Sequence, residues 1–173
     1  QALQAAQAGA WEWVIASNNT VWSDENYRLM RLDPGSVDSN YDNWFARVHP
    51  DDRPLADRVV RHAVDTCERL DFEYRCVWPD GTVRWLQDVG EMMLDASGKP
   101  VGMYGIQIDV TARKQAEAEL RASLARQQLI IKSANIGLWD WNLSTNEVIY
   151  SSEWKSQLGY DDDELPNRFE EWE

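Results

Sequence analysis

The chain matches itself at a single offset, and that match limits the folds open to it. Trp11 and Trp139 lie 128 positions apart, and so do Trp44 and Trp172. Without a gap, the same offset lays Gly9 on Gly137, Trp13 on Trp141, Asn18 on Asn146, Ser23 on Ser151, Glu25 on Glu153 and Asp33 on Asp161. Apolar positions track as well: Val21 with Ile149, Trp22 with Tyr150, Met30 with Leu158, Leu32 with Tyr160. In 173 residues only one copy of such a unit can be complete. A second copy is expected to begin near Gly137 and to stop before most of its core.

The complete copy divides by period. Residues 1–8 read as the end of an incoming helix closed by Gly9. Trp11, Trp13 and Ile15 alternate with Glu12 and Val14, and Ser17-Asn18-Asn19 turns the chain into Thr20-Val21-Trp22, which makes a hairpin. Ser23 caps a short helix with Asp24 and Glu25 in its first turn. Tyr41, Trp44, Phe45 and Val48 form a second short helical face. His49-Pro50-Asp51-Asp52 announces a helix from about Asp52 to Glu68, with Leu55, Ala56, Val59, Val60, Ala63, Val64 and Cys67 on its apolar half. Three strands follow, near 70–78, 82–94 and 100–109, joined by Pro79-Asp80-Gly81 and Asp95-Ala96-Ser97-Gly98. The reading is α+β: one antiparallel sheet with helices on one face. On the last strand Met103, Gly105 and Gln107 should face inward, with Tyr104, Ile106 and Ile108 outward.

That strand runs straight into a charged helix predicted over 112–134, with Asp109 or Thr111 supplying its cap. Leu120, Leu124 and Ile131 fall on one coiled-coil register, the expected seam of a parallel homodimer. The outward face of Tyr104, Ile106 and Ile108 also needs cover. The domain plan is therefore 1–8, 9–111, 112–135 and 136–173.

Net charge is −13, and only residues 111–134 are basic, with 5 Lys/Arg against 2 Asp/Glu. Such a surface repels nucleic-acid phosphates and anionic lipid, so neither nucleic acid nor direct membrane contact is expected of this stretch. No apolar run reaches membrane-span length. The chain reads as a slice of a longer cytoplasmic protein. Cys67, Cys76, His49 and His62 make no metal set. Buried reduced thiols are expected of both cysteines. No nucleophile–base pair or phosphate-binding glycine loop appears, so this chain is not expected to be an enzyme.

Several marks in order carry a resemblance. They are Gly9-Ala-Trp11-Glu-Trp13, Trp22-Ser23, His49-Pro50-Asp51-Asp52, Phe72-Glu-Tyr74-Arg75, Asp80-Gly81-Thr-Val-Arg84-Trp85 and Asp109-Val-Thr111-Ala-Arg113-Lys114. Together, residues 9–134 resemble a bacterial PAS sensor domain of the subtype that opens with Gly-x-Trp-x-Trp. The resemblance implies a five-stranded antiparallel sheet cupping a small cavity. It implies tandem arrays upstream of an output domain, commonly a histidine kinase or a diguanylate cyclase. It assigns signal transmission to Asp109, Thr111 and Arg113, the family's exit motif.

The candidate ligand contacts are Gln107, Met103, Trp85, Tyr74, Trp44 and Met30. Flavin-binding relatives place a glutamine where Gln107 stands, but a core hydrogen-bonding role explains that residue equally. Their reactive cysteine motif is missing here. Haem-binding relatives use a histidine on the long helix; His62 sits at the edge of the apolar arc, where a boundary residue is the plainer reading. Trp11, Trp13, Trp44 and Trp85 could stack on a ligand or simply pack the core. Three functions compete: a sensor of a small ligand, a ligand-free dimerising coupler, and a flavin or haem redox sensor. For the fragment 137–173, cover by a neighbouring chain is expected, because a lone hairpin is marginal in water.

Overall fold

A computed structural model describes residues 8–168. The chain forms two compact units, Gln1–Ala116 and Glu117–Glu173. In the first, β1 (Ala8–Val14) and β2 (Asn19–Trp22) make the opening hairpin. Helices α1 (Asp24–Leu29), α2 (Tyr41–Arg47) and α3 (Arg53–Thr66) come next. Strands β3 (Leu70–Val77), β4 (Val83–Leu94) and β5 (Pro100–Asp109) complete the sheet. Its order is β2-β1-β5-β4-β3, antiparallel throughout. Helix α4 (Thr111–Ser133) leaves the end of β5. Among the described residues no helix is long and apolar enough to cross a membrane.

The start differs from the sequence reading. Ala8 and Gly9 are the first residues of β1, not the end of a helix, because Ala8 and Gly9 pair with Ile108 and Gln107 of β5. Residues 1–7 lie outside the described residues. Gly9 is needed for a different reason: a Cβ there would sit 2.6 Å from the Asn26 Cα of α1. The glycine lets helix and strand touch.

The core lies between the inner sheet face and α1–α3. Tyr74, Leu86, Met103, Met30, Val48 and Cys76 are fully buried. Leu86 or Met103 each contributes roughly 1.5–3 kcal/mol through burial. Helix α3 presents Ala56, Val60 and Ala63, small residues at i, i+4 and i+7 that let it lie close on the sheet. Two residues of its expected apolar half do not take part. Leu55 is 42% exposed, and Cys67 is an exposed thiol in the left-handed conformation that ends the helix, φ 56°. Only Cys76 fits the expectation of buried thiols.

The His49-Pro50-Asp51-Asp52 stretch is a 3-10 turn, Pro50–Asp52, ahead of α3. Asp52 makes no side-chain cap bond. Its carboxylate accepts from the Arg75 backbone N–H at 2.8 Å and from the Arg75 guanidinium at 2.6 and 3.0 Å. Those bonds hold the Asp52 carboxyl below its ordinary range. The His49 N–H donates to the Arg75 carbonyl at 2.8 Å, so this stretch covers the open edge of β3.

In the second unit β6 (Trp139–Asn142) and β7 (Glu147–Tyr150) pair as a hairpin, and Ser151 caps α5 (Ser152–Gln157). Val148, Tyr150 and Leu165 are buried there, while Trp139 is 61% exposed. The aromatic positions Phe169 and Trp172 lie outside the described residues.

Candidate functional site: an aromatic cavity and the junction behind it

The sheet and helices border a partly open cavity of about 50 Å³. Its floor is set by glycine. Gly90 of β4 pairs with Gly105 of β5, and the Trp11 indole lies across both. A Cβ at Gly105 would come 2.1 Å from the Val89 carbonyl oxygen and 2.7 Å from the Trp11 ring. Trp13, Trp22, Tyr41 and Trp44 supply further aromatic wall. Trp13 stacks on Tyr41 with centroids 5.0 Å apart, and Tyr41 meets Trp44 at 5.1 Å.

One wall of this aromatic box is backed by buried polar side chains. Gln107 Nε2 donates to Tyr74 Oη at 2.6 Å and to Asp88 Oδ1 at 3.2 Å. Trp44 Nε1 donates to the same Tyr74 oxygen at 2.8 Å. Tyr74 Oη thus accepts two hydrogen bonds, and the nearby Asp88 carboxyl adds to the rise in its pKa. Burial pushes Asp88 up to about 7, and the hydrogen bonds from Tyr74 and Gln107 oppose that rise. Burial likewise raises Tyr41 to about 12 and Tyr74 well above the usual phenol range.

Four side-chain atoms of cavity-lining residues are buried without a hydrogen-bond partner: Trp11 Nε1, Thr20 Oγ1, Asn26 Oδ1 and Gln107 Oε1. Trp11 Nε1 leans on Asp88 closely enough to lower its pKa but makes no well-formed hydrogen bond. Buried polar atoms normally find partners, but these four show almost no surface to the cavity, whose accessible lining is nearly all apolar.

The sequence-predicted contacts divide. Gln107, Met103 and Trp44 line the cavity. Tyr74 stands just behind it and orients Gln107. Met30 is fully buried in the core cluster and does not line the cavity. Trp85 is on the opposite sheet face, under the Lys114 ammonium at 5.1 Å and the Arg75 guanidinium at 6.0 Å. Strand alternation decides this: Leu86 and Asp88 point in, so Trp85 points out. Asp88 was missed. The signal that could have found it is its register partner, Gln107, directly across the β4–β5 ladder. Tyr104 is 50% exposed, on the opposite face from Gln107, as the strand parity requires.

The residues do not fit haem or flavin. His62 is exposed and pairs with Glu68 at 3.2 Å. A cavity that holds one benzene ring has about 150 Å³, three times the space present here. A flavin or porphyrin ring system is larger still.

Behind the cavity the exit junction is tightly built. Thr111 N–H donates to Asp109 Oδ1 at 2.7 Å. The buried Thr111 Oγ1 accepts from the Trp85 N–H at 2.9 Å, and the Val110 N–H donates to the Trp85 carbonyl at 2.9 Å. Arg113 and Lys114 both pair with Glu73 of β3, which holds the Glu73 carboxyl below its ordinary range. The first turn of α4 is thus fastened to both β3 and β4. Further along, Leu120 and Leu124 are exposed and Ile131 is partly so.

Comparison with known proteins decides the family. The description "PAS fold" matches residues 19–107. The chain belongs to the PAS family. It is 26% identical over 130 residues to the probable diguanylate cyclase DgcE of Escherichia coli K12, covering 75% of this chain and 12% of that protein. It is 31% identical over 117 residues to a blue-light-activated histidine kinase of Brucella anthropi, covering 68% of this chain and 23% of that protein. A sensory box histidine kinase/response regulator from Burkholderia thailandensis has a solved structure that superposes with a TM-score of 0.65 at 28% identity, over 73% of this chain and 95% of that one. This PAS domain is a signal-sensing module, and it spans less than a quarter of the curated relatives' length.

Proposed function

We propose that this chain is the sensory input module of a larger signalling protein whose output domain is a histidine kinase or a diguanylate cyclase. A small ligand in the cavity sets the state of β5, and β5 passes it to α4. One observation carries the reading. Gln107, which lines the cavity and whose buried Oε1 has no partner, lies two residues before Asp109, which fixes the N–H of Thr111 at the start of α4. A change of hydrogen bonding at Gln107 therefore acts on a strand whose far end is bonded to the helix. Asp109, Thr111 and Arg113 are the relay in this reading.

Amide exchange in the full chain tests it. Gln107→Leu should change protection of residues 110–116 several-fold, since local opening responds to the loss of about 1 kcal/mol of hydrogen bonding. Unchanged exchange there would remove the relay. The competing ligand-free coupler leaves the cavity itself without a purpose. The flavin or haem redox sensor is not supported by the cavity's size or by His62.

The domain plan of 9–111, 112–135 and 136–173, with a second PAS domain opening near 136, is part of the same proposal. So is a parallel homodimer through Leu120, Leu124 and Ile131. Leu124→Glu should lower the mass seen in sedimentation; an unchanged dimer would exclude this seam.

A further inference from the structure

The walls of the cavity limit which end of a molecule can enter it. We propose that the ligand is a small aliphatic compound that enters by a short alkyl end, with its polar head left in water at the open side. This ligand class rests on the sensory reading of the cavity and deepens it.

Four observations meet here. First, the accessible lining is nearly all apolar. Second, the polar groups nearest the space are turned to one another or sealed off from it. Gln107 Nε2 donates to Tyr74 Oη at 2.6 Å and to Asp88 Oδ1 at 3.2 Å, and the four unpartnered atoms show the cavity almost no surface. A donor, an acceptor or a charge placed inside would lose its water and gain no partner. Third, the aromatic walls pack on one another. Trp13 and Tyr41 have centroids 5.0 Å apart, and Tyr41 and Trp44 5.1 Å, which leaves no slot between them for a planar ring. The space of about 50 Å³ is a third of what holds benzene, so it takes about two or three carbon atoms in a chain. Fourth, the cavity is partly open, so a chain longer than the space keeps its head hydrated outside.

An alkyl chain in this place touches the sheet as well as a helix. Val60 of α3, Leu70 of β3 and Met103 of β5 are buried residues of the lining. Met103 and Gln107 lie on the same face of β5, four residues apart, and the flexible Met103 thioether adjusts to what fills the space. Filling the cavity therefore bears on the strand that ends at Asp109 and α4. Each methylene that leaves water against these walls is worth about fourfold in affinity.

Straight-chain alcohols from ethanol to 1-hexanol, titrated into the full chain below the concentrations that unfold it, test this. Tryptophan fluorescence and calorimetry report binding. Affinity should rise about fourfold per methylene over the first two or three carbons and then level off. Benzyl alcohol, which carries a ring in place of the chain, should bind several-fold more weakly than 1-butanol. Val60→Phe fills the space and should abolish the rise. Val60→Ala enlarges the space and should move the levelling-off to a longer chain, which decides the matter if Val60→Phe does not fold. Affinity independent of chain length, or no binding of 1-butanol, overturns the alkyl end. So does a rise that survives Val60→Phe, a levelling-off unmoved by Val60→Ala, or benzyl alcohol binding more tightly than 1-butanol. Each of those outcomes leaves the sensory reading standing, because the exchange measurement on Gln107→Leu decides separately whether the relay exists.

Discussion

The two hairpins at either end of the 128-residue offset fold alike and live in different surroundings. Trp13 Nε1 donates to Asn18 Oδ1 at 3.3 Å, and Trp141 Nε1 donates to Asn146 Oδ1 at 3.1 Å. Asn18 and Asn146 both take a left-handed backbone, φ 56° and 61°. Ser23 and Ser151 each cap the following helix and also accept an N–H from the preceding strand, of Ala10 and of Leu138. Even the close approach is repeated: a Cβ on Gly137 would meet Trp154 Cα at 2.8 Å.

The surroundings differ. Trp11 is half-buried across Gly90 and Gly105, whereas Trp139 is 61% exposed. The cavity chemistry is not carried over either. Thr20 and Asn26, which hold two of the orphaned oxygens, correspond to Val148 and Trp154. The buried Tyr27 corresponds to Lys155, which is also buried and pairs with Asp162 at 3.0 Å. Local chemistry thus builds the hairpin and cap wherever it occurs. What the hairpin is for depends on the strands and helix set against it.

The largest expected contrast is between equivalent tryptophans. Trp11→Ala should cost roughly 3 kcal/mol in urea denaturation by opening a cavity over two glycines, while Trp139→Ala should stay within about 0.5 kcal/mol. An equal loss from both would show that something covers Trp139 in solution.

The next concerns pH, which acts through a group in the first unit, Asp88. Its folded pKa is raised, so the folded state holds more protons than the unfolded chain between the ordinary aspartate range and about 7. Its contribution to stability therefore falls as pH rises through that window and is flat above it. Asp52 and Glu73, with depressed pKa values, act in the opposite sense, losing stability as pH falls through their folded values. The difference between Asp88→Asn and wild type cancels those two. That difference should move in favour of the variant by about 2–4 kcal/mol between pH 4 and pH 8. A difference independent of pH would mean Asp88 is ionised throughout.

The smallest effect should be the most alike. Ser23→Ala and Ser151→Ala should each cost about 1 kcal/mol in the helix that follows, read by exchange of its first-turn amides. A loss confined to Ser23→Ala would break the local equivalence of the two hairpins.

Much of this was legible beforehand because it rests on short-range rules. Alternation placed Gln107 and Met103 inward, and Ser23 announced its helix. Where the sequence misled, two rules competed. Gly9 has the chemistry of a helix end, but its absent side chain serves the contact with Asn26. Leu55 and Cys67 fit the helical period, yet α3 rests on the sheet only along its middle. Trp85 is large and aromatic, and its strand has apolar residues on both faces, so composition could not say which way it points.

By itself the sequence determined the strands, the Ser23 and Ser151 caps and the turn asparagines, since each follows from neighbours a few residues apart, whereas Asp52, which has the chemistry of a cap, is drawn to Arg75 instead. The site was decided only in three dimensions. Asp88, Tyr74, Gln107, Trp11 and Asn26 come from five separate elements, and their shared environment exists only once the sheet has paired. Burial gives Asp88 its raised pKa, and burial leaves four polar atoms without partners. Desolvation is a property of the assembled fold, which no local pattern of residues can contain.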